Sequence, residues 1–211
     1  MVFFAMEIST NRDDIPEKFR GMSESFMAHL SGRDTGSFIS FPENTTFLGK
    51  ESDENVVLVV RSHWMRYFKY IAGAVLVLIL PIVIALLLPT INTNAALLVA
   101  IFLISIQISM SLAVYSFLMW YYNVNIITDQ RVIDLDFKSI FSHTSSEARL
   151  EKIEDVSSQQ SGSFTNILDI GTVHIQTAGT NAFIEFDSVP RPREIQDIIS
   201  DLLELSHKEE I

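Results

Sequence analysis

The chain has 211 residues, 15 of them basic and 26 acidic, for a net charge of −11. That charge argues against nucleic-acid partners, because a phosphate backbone attracts a basic face. With 48% hydrophobic and 19% charged residues the chain is too apolar for disorder. Zero cysteines exclude disulfides, thiolate metal sites and cysteine nucleophiles together.

The segment 1–50 is expected to be cytoplasmic and partly flexible. Within it Phe19, Met22, Phe26 and Leu30 fit one face of a short amphipathic helix over 15–30. Residues 31–50, rich in Gly, Ser, Thr and Asn, read as linker. The N-terminus lacks the basic and long apolar regions of a signal peptide. In 51–68, the run Val56–Val60 is β-branched and predicts a strand, followed at once by a juxtamembrane stretch containing His63 and Trp64. Counted over 1–69, eight basic residues face ten acidic ones.

No Asp, Glu, Lys, Arg or His occurs in the 59 positions 70–128. As one helix this stretch would be about 88 Å long, against a hydrocarbon core of about 30 Å. The chain must therefore turn back, and the polar break Pro89-Thr-Ile-Asn-Thr-Asn94 is where it does so. The expectation is a transmembrane hairpin: a first span over 69–88, an external loop over 89–94 and a second span over 95–120. A buried helical hairpin in a soluble protein is the weaker alternative. Arg61, Arg66 and Lys69 flank the first span while the loop is uncharged, so both termini are expected in the cytoplasm. The aromatic belts agree, with Trp64 ahead of the first span and Trp120 and Tyr121 at the end of the second. These six residues are the candidate interface anchors. The sequon Asn44-Thr-Thr46 would then remain unused.

Neither span carries an ionisable group, which disfavours proton relays and charged ion pathways. Ser105, Ser109 and Ala113 form a small-residue stripe, and Gln107 is the strongest polar feature. Packing against the first span is the plainer reading of these four residues. Self-association, or a pore built from several copies, is the sharper one. Pro81 is expected to kink the first helix.

Over 123–211 seven basic residues face sixteen acidic ones. Val124 and Ile126, a turn at Asp129-Gln130, and alternating Ile133, Leu135 and Phe137 predict a hairpin. Leu150, Ile153 and Val156 fit either a bulged strand or a helical turn. A break rich in Gly, Ser and Asn covers 157–166, and strands are expected over 171–177 and 181–186, joined at 178–180. Ile195, Ile198, Ile199, Leu202 and Leu203 then repeat with helical period behind Pro192.

Two spans running into Tyr122-Asn-Val124-Asn-Ile-Ile127-Thr-Asp-Gln-Arg-Val-Ile133 resemble the bacterial pleckstrin-homology-like (PH-like) family, also called the membrane-flanked domain. The blocks Leu150–Val156, Asn166–Val173 and Phe186–Pro190 are similar to it too. The resemblance covers roughly 55–206. It implies an α+β membrane protein with a PH-like antiparallel β-barrel over 121–206, seven-stranded and plugged by a C-terminal helix. It also implies binding of lipids, peptides or proteins without catalytic residues. Lys138, Arg131 and Arg149 are scattered in an acidic domain, so specific anionic-lipid binding is disfavoured. The acidic helix face of Glu194, Asp197, Asp201 and Glu204 reads as solvated surface. Glu151, Glu154 and Asp155 read the same way.

Histidines 29, 63, 143, 174 and 207 have no metal-site spacing, and no phosphate loop or nucleophile elbow is present. No cofactor or metal is expected. The function expected is that of a non-catalytic, membrane-anchored binding or scaffold module with a protein partner or further copies of itself. A transport or channel subunit is the first alternative and a lipid-binding module the second.

Overall fold

A computed structural model describes Phe19 and residues 36–42, 47, 49–87, 95–139, 142–178 and 183–209. The expected loop at 89–94, the sequon and all of the helix at 15–30 except Phe19 lie outside them. The chain divides into two compact units, residues 1–63 with 123–211, and residues 64–122.

The first unit holds eight strands among the described residues: β1 (Phe38–Ser40), β2 (Val56–Arg61), β3 (Val124–Thr128), β4 (Arg131–Ser139), β5 (Ser142–Arg149), β6 (Ile153–Gln159), β7 (Ile170–Thr177) and β8 (Phe183–Pro190). They form two antiparallel sheets, in the orders β1-β2-β3-β4-β5 and β6-β7-β8. The closed barrel expected from the family resemblance is not formed. At the corner between the sheets a 3-10 turn, Leu150–Lys152, takes the chain from β5 to β6 without a ladder between them. The ambiguous stretch 150–156 is thus a helical turn followed by a strand.

β2 pairs on one side with β1 and on the other with β3, in the register Val59 with Ile126 and Arg61 with Val124. Such a strand is covered on both faces, which is why it is a continuous apolar run rather than an alternating one. Val57, Leu58 and Val60 join the main core. Val56 and Val59 join a smaller cluster with Phe47, Ile126 and Ile133. The main core lies between the sheets, where Val57, Ile127 and Val132 meet Val173, Ile175, Phe186 and Val189.

A helix closes this core. It runs Pro192–Glu209, and its Ile195, Ile198 and Ile199 are fully buried with Leu202 nearly so. β6 extends to Gln159, and a five-residue helix, Ser163–Ile167, fills part of the expected break before β7. Gly171 in β7 sits where a Cβ would come within 2.5 Å of the Gln159 carbonyl oxygen and 2.8 Å of Pro192 Cγ. The backbone of the β6–β7 corner can close only over hydrogen.

The second unit consists of a 3-10 turn at Trp64–Tyr67 and two helices, α1 (Phe68–Leu87) and α2 (Ala95–Tyr122). With these labels the short helix at 163–167 is α3 and the C-terminal helix is α4. At 20 and 28 residues, α1 and α2 measure about 30 and 42 Å, long and apolar enough to cross a membrane. Most of their large apolar side chains are exposed, including Leu76, Leu86, Leu103 and Ile104. The two helices pack on each other. Tyr67 donates its hydroxyl to the Met119 carbonyl at 3.2 Å, and the Tyr70 and Tyr115 rings meet edge-on at 5.3 Å.

Candidate functional site

A densely bonded polar site of the sheet unit surrounds Glu54. Sequence reasoning passed it over, since a single acid before an apolar run has no distinguishing pattern. Its side chain is fully buried, and both oxygens are held by Arg131: Nε to Oε1 at 2.9 Å and Nη2 to Oε2 at 2.8 Å. The Thr128 hydroxyl donates to Oε1 at 2.8 Å, and the Glu51 amide donates to Oε2 at 3.1 Å. Burial opposes the charge on Glu54, but these donors outweigh it and hold the carboxyl below its ordinary pKa. Asn55 is tied to the same turn, its amide and side-chain nitrogens reaching the two Asp129 oxygens at 3.0 and 2.9 Å.

Arg131 also bonds the Gly49 carbonyl, pairs with Glu147 at 3.3 Å and lies over the Phe47 ring. Beside it is a cleft of about 300 Å³ lined by Glu51, Asp129, Arg149, Glu151 and Ser206. Three carboxylates face two guanidinium groups there, and Arg131 is already engaged. An incoming phosphate would meet more repulsion than attraction. This end of the unit is a structural clasp.

β5 offers a different kind of site. Among the described residues it is hydrogen-bonded on one side only, to β4, from Ser139 with Ser142 through Arg131 with Arg149. Thr144, Ser145, Glu147 and Arg149 are exposed, and Ala148 is the one buried side chain described in the strand. Among the described residues nothing pairs with the outer edge of these eight residues, so the main-chain donors and acceptors that point outward have no ladder partner there. The sequence did not single out this strand, because its polar run Ser-His-Thr-Ser-Ser-Glu has no apolar alternation.

On α2, Ser105 is buried and Ser109 half-buried, whereas Gln107 and Ala113 are exposed. The interhelical face runs through Ser105, Ser109, Leu112, Ser116 and Met119, because a strict spacing of four drifts around a helix of 3.6 residues per turn. Ser105 donates its hydroxyl to the Phe102 carbonyl at 2.8 Å. Pro81 is buried in α1 and, with Phe102 and Leu98, borders a shallow apolar groove.

The six candidate anchors fall into three groups by exposure. Trp64 and Lys69 are exposed, while Arg66, Trp120 and Tyr121 are half-buried. Arg61, the last residue of β2, is 6% exposed. His63 is half-buried, and burial depresses its pKa, leaving the ring neutral near pH 7. His174 stands opposite Glu185 across β7 and β8, with Nδ1 3.3 Å from Oε1. His29 lies outside the described residues.

The family model for the bacterial PH domain matches residues 71–203, and the chain belongs to that family. The match takes in α1, α2 and β3 to β8 but begins after β1 and β2. Comparison with curated proteins and with solved structures finds no match.

Proposed function

We propose that this bacterial PH domain protein is a membrane-anchored, non-catalytic binding module. In this reading α1 and α2 cross the cytoplasmic membrane as a hairpin, both termini are cytoplasmic, and the sheet unit recruits a protein there. The observation that carries the reading is β5, an eight-residue strand at the end of its sheet. An extended segment of a partner can pair with that edge through main-chain hydrogen bonds, without requiring particular side chains.

Successive N–H groups along a strand point to opposite sides. Proline placed in turn at Thr144 and Ser145 therefore removes one donor toward β4 and one toward solvent. The full-length variants are extracted in mild detergent and analysed by light scattering and mass spectrometry. The reading expects a stoichiometric partner, or a second copy, that is lost from the variant whose melting temperature is unchanged. A normally folded edge variant that keeps its partner contradicts the reading, as does a wild-type protein that elutes as a lone monomer.

A second reading, an oligomeric transport or channel subunit, is favoured by Gln107, whose amide is exposed on α2 away from the hairpin face. An amide in hydrocarbon is costly unless another helix supplies a partner. Substituting Gln107 with Leu would abolish assembly under that reading and leave the binding module unaffected.

A further inference from the structure

We propose that the β6–β7 corner is a third membrane contact: its tip, Ile167 and Leu168, enters the interfacial layer of the bilayer and fixes the sheet unit against the membrane. The proposal rests on the reading that α1 and α2 cross that bilayer. Ile167 is 79% exposed and Leu168 40%, and with Phe183 they are the large apolar side chains left exposed in the described sheet unit. Their position singles them out.

The end of the sheet unit from which the chain departs toward the helices is defined within the unit itself. Arg61 pairs with Val124, so the strand leading to the helices and the strand returning from them meet there. The His63 amide donates to the Ser188 carbonyl at 2.6 Å, and the Ser62 hydroxyl donates to the Asp187 carbonyl at 3.0 Å, which ties the last turn of β8 to the same end. Ile170 pairs with Pro190, and the Arg191 amide donates to the Asp169 carbonyl at 2.8 Å. The corner carrying Ile167 and Leu168 thus projects from the end where the chain leaves, and Trp64 follows His63 directly. Phe183, at the start of β8, is at the opposite end.

Charge agrees with position. The unit is strongly acidic, yet no charged residue occurs from Val156 to Leu168. After Val156, Ile167 and Leu168 stand in a stretch that otherwise holds Phe164, Ser, Thr, Asn, Gln and Gly, with one carboxylate, Asp169, at its base. Such a tip can approach neutral headgroups, and the absence of basic residues commits the contact to the apolar boundary rather than to an anionic lipid.

The corner is also held in shape. Gln160 donates to Asp169 Oδ1 at 2.8 Å across its base, and Thr165 bonds back to the carbonyls of Ser161 and Gly162 at 2.7 Å. Gly162 and Asp169 both have positive φ, 111° and 51°, and Gly171 excludes a side chain beneath. A pre-shaped tip loses little conformational entropy on insertion.

The chain has no cysteine, so a single one can be introduced and spin-labelled in the full-length protein. Labels at Ile167→Cys, Leu168→Cys, Phe183→Cys and, in α1, Leu76→Cys are compared in phosphatidylcholine vesicles holding only this protein. The accessibility of each to oxygen and to a water-soluble nickel reagent is measured. Positions 167 and 168 are expected to show an oxygen-to-nickel ratio severalfold above that of 183. Equal ratios at 167, 168 and 183 overturn the proposal, and so does protection that appears only when anionic lipid is added. The label at 76 reports on the helical anchor by itself, so failure of the tip and failure of the anchor read differently.

Discussion

Glu54 and Arg131 lie 77 positions apart, on opposite sides of the two apolar helices in the sequence, and meet as a bidentate ion pair with N–O distances of 2.9 and 2.8 Å. One strand before the helices and a hairpin after them are thereby locked into a single sheet, with the Glu54 carboxylate out of reach of water. The family match begins at residue 71, so the piece that completes the sheet comes from outside it.

Arg131→Ala leaves that buried carboxylate without its counter-ion and is expected to destabilise the unit by about 3–5 kcal/mol. Adding Glu54→Gln should recover much of the loss, because the stranded charge is gone. Denaturant unfolding of the two variants in detergent checks both statements. Equal loss in the single and double variants would refute them.

The same carboxyl makes a prediction for pH. Its folded pKa lies below that of the unfolded chain, so its contribution is present above an ordinary glutamate pKa of about 4.3 and disappears as the pH falls through the folded value. Wild-type stability is expected to decline below about pH 4 more steeply than that of Glu54→Gln. Melting temperatures across pH 3–6 read the difference, and parallel curves for the two proteins would remove Glu54 from the explanation.

Gly171→Ala places a methyl group within 2.5 Å of the Gln159 carbonyl. Overpacking of this kind is expected to cost about 1–3 kcal/mol and to lower the melting temperature by several degrees. The nearby Thr172→Ala, on a half-buried position, serves as the comparison. Equal stability in both would show that the corner can open.

The hairpin gives a prediction of its own. Cysteines replacing Tyr70 and Tyr115, whose ring centroids lie 5.3 Å apart, are expected to be joined across α1 and α2 by a short bifunctional thiol reagent, since ring contact leaves the two Cβ atoms further apart than a disulfide spans. Adding Ser105→Leu on the packed face should suppress that cross-link, and adding Ala113→Leu on the exposed face should leave it intact. The reverse order would mean that the helices meet through a different face.

These residues also show how far the sequence could be read. A charge gap of 59 positions leaves little choice but two long apolar helices, and the period of Ile195, Ile198, Ile199 and Leu202 dictates which face of α4 is buried. Both signals are local and repeat many times. β5 has no such signal, because an edge strand paired to β4 needs no apolar alternation, and its role emerges only from the sheet order. The Glu54–Arg131 pair is equally silent, being a contact between distant segments that no spacing rule relates. The division into two sheets, in place of one barrel, is decided at the three-residue turn Leu150–Lys152, where spacing fits helix and strand alike. The stripe Ser105, Ser109, Ala113 shows the limit of a fixed spacing of four. Its first two members lie on the packed face, and the drift of the helix carries the third out of it.

The central claim is that the edge of β5 receives a protein segment at the membrane. A photo-cross-linking amino acid placed at Ser145, and separately at Gln176 and Gln107, in the full-length protein in its own membranes tests it most directly. The account predicts a discrete adduct of defined mass from Ser145, containing either a second copy or one other protein, and none from Gln176. No adduct from Ser145 together with a strong one from Gln107 would contradict it and move the function into the helices.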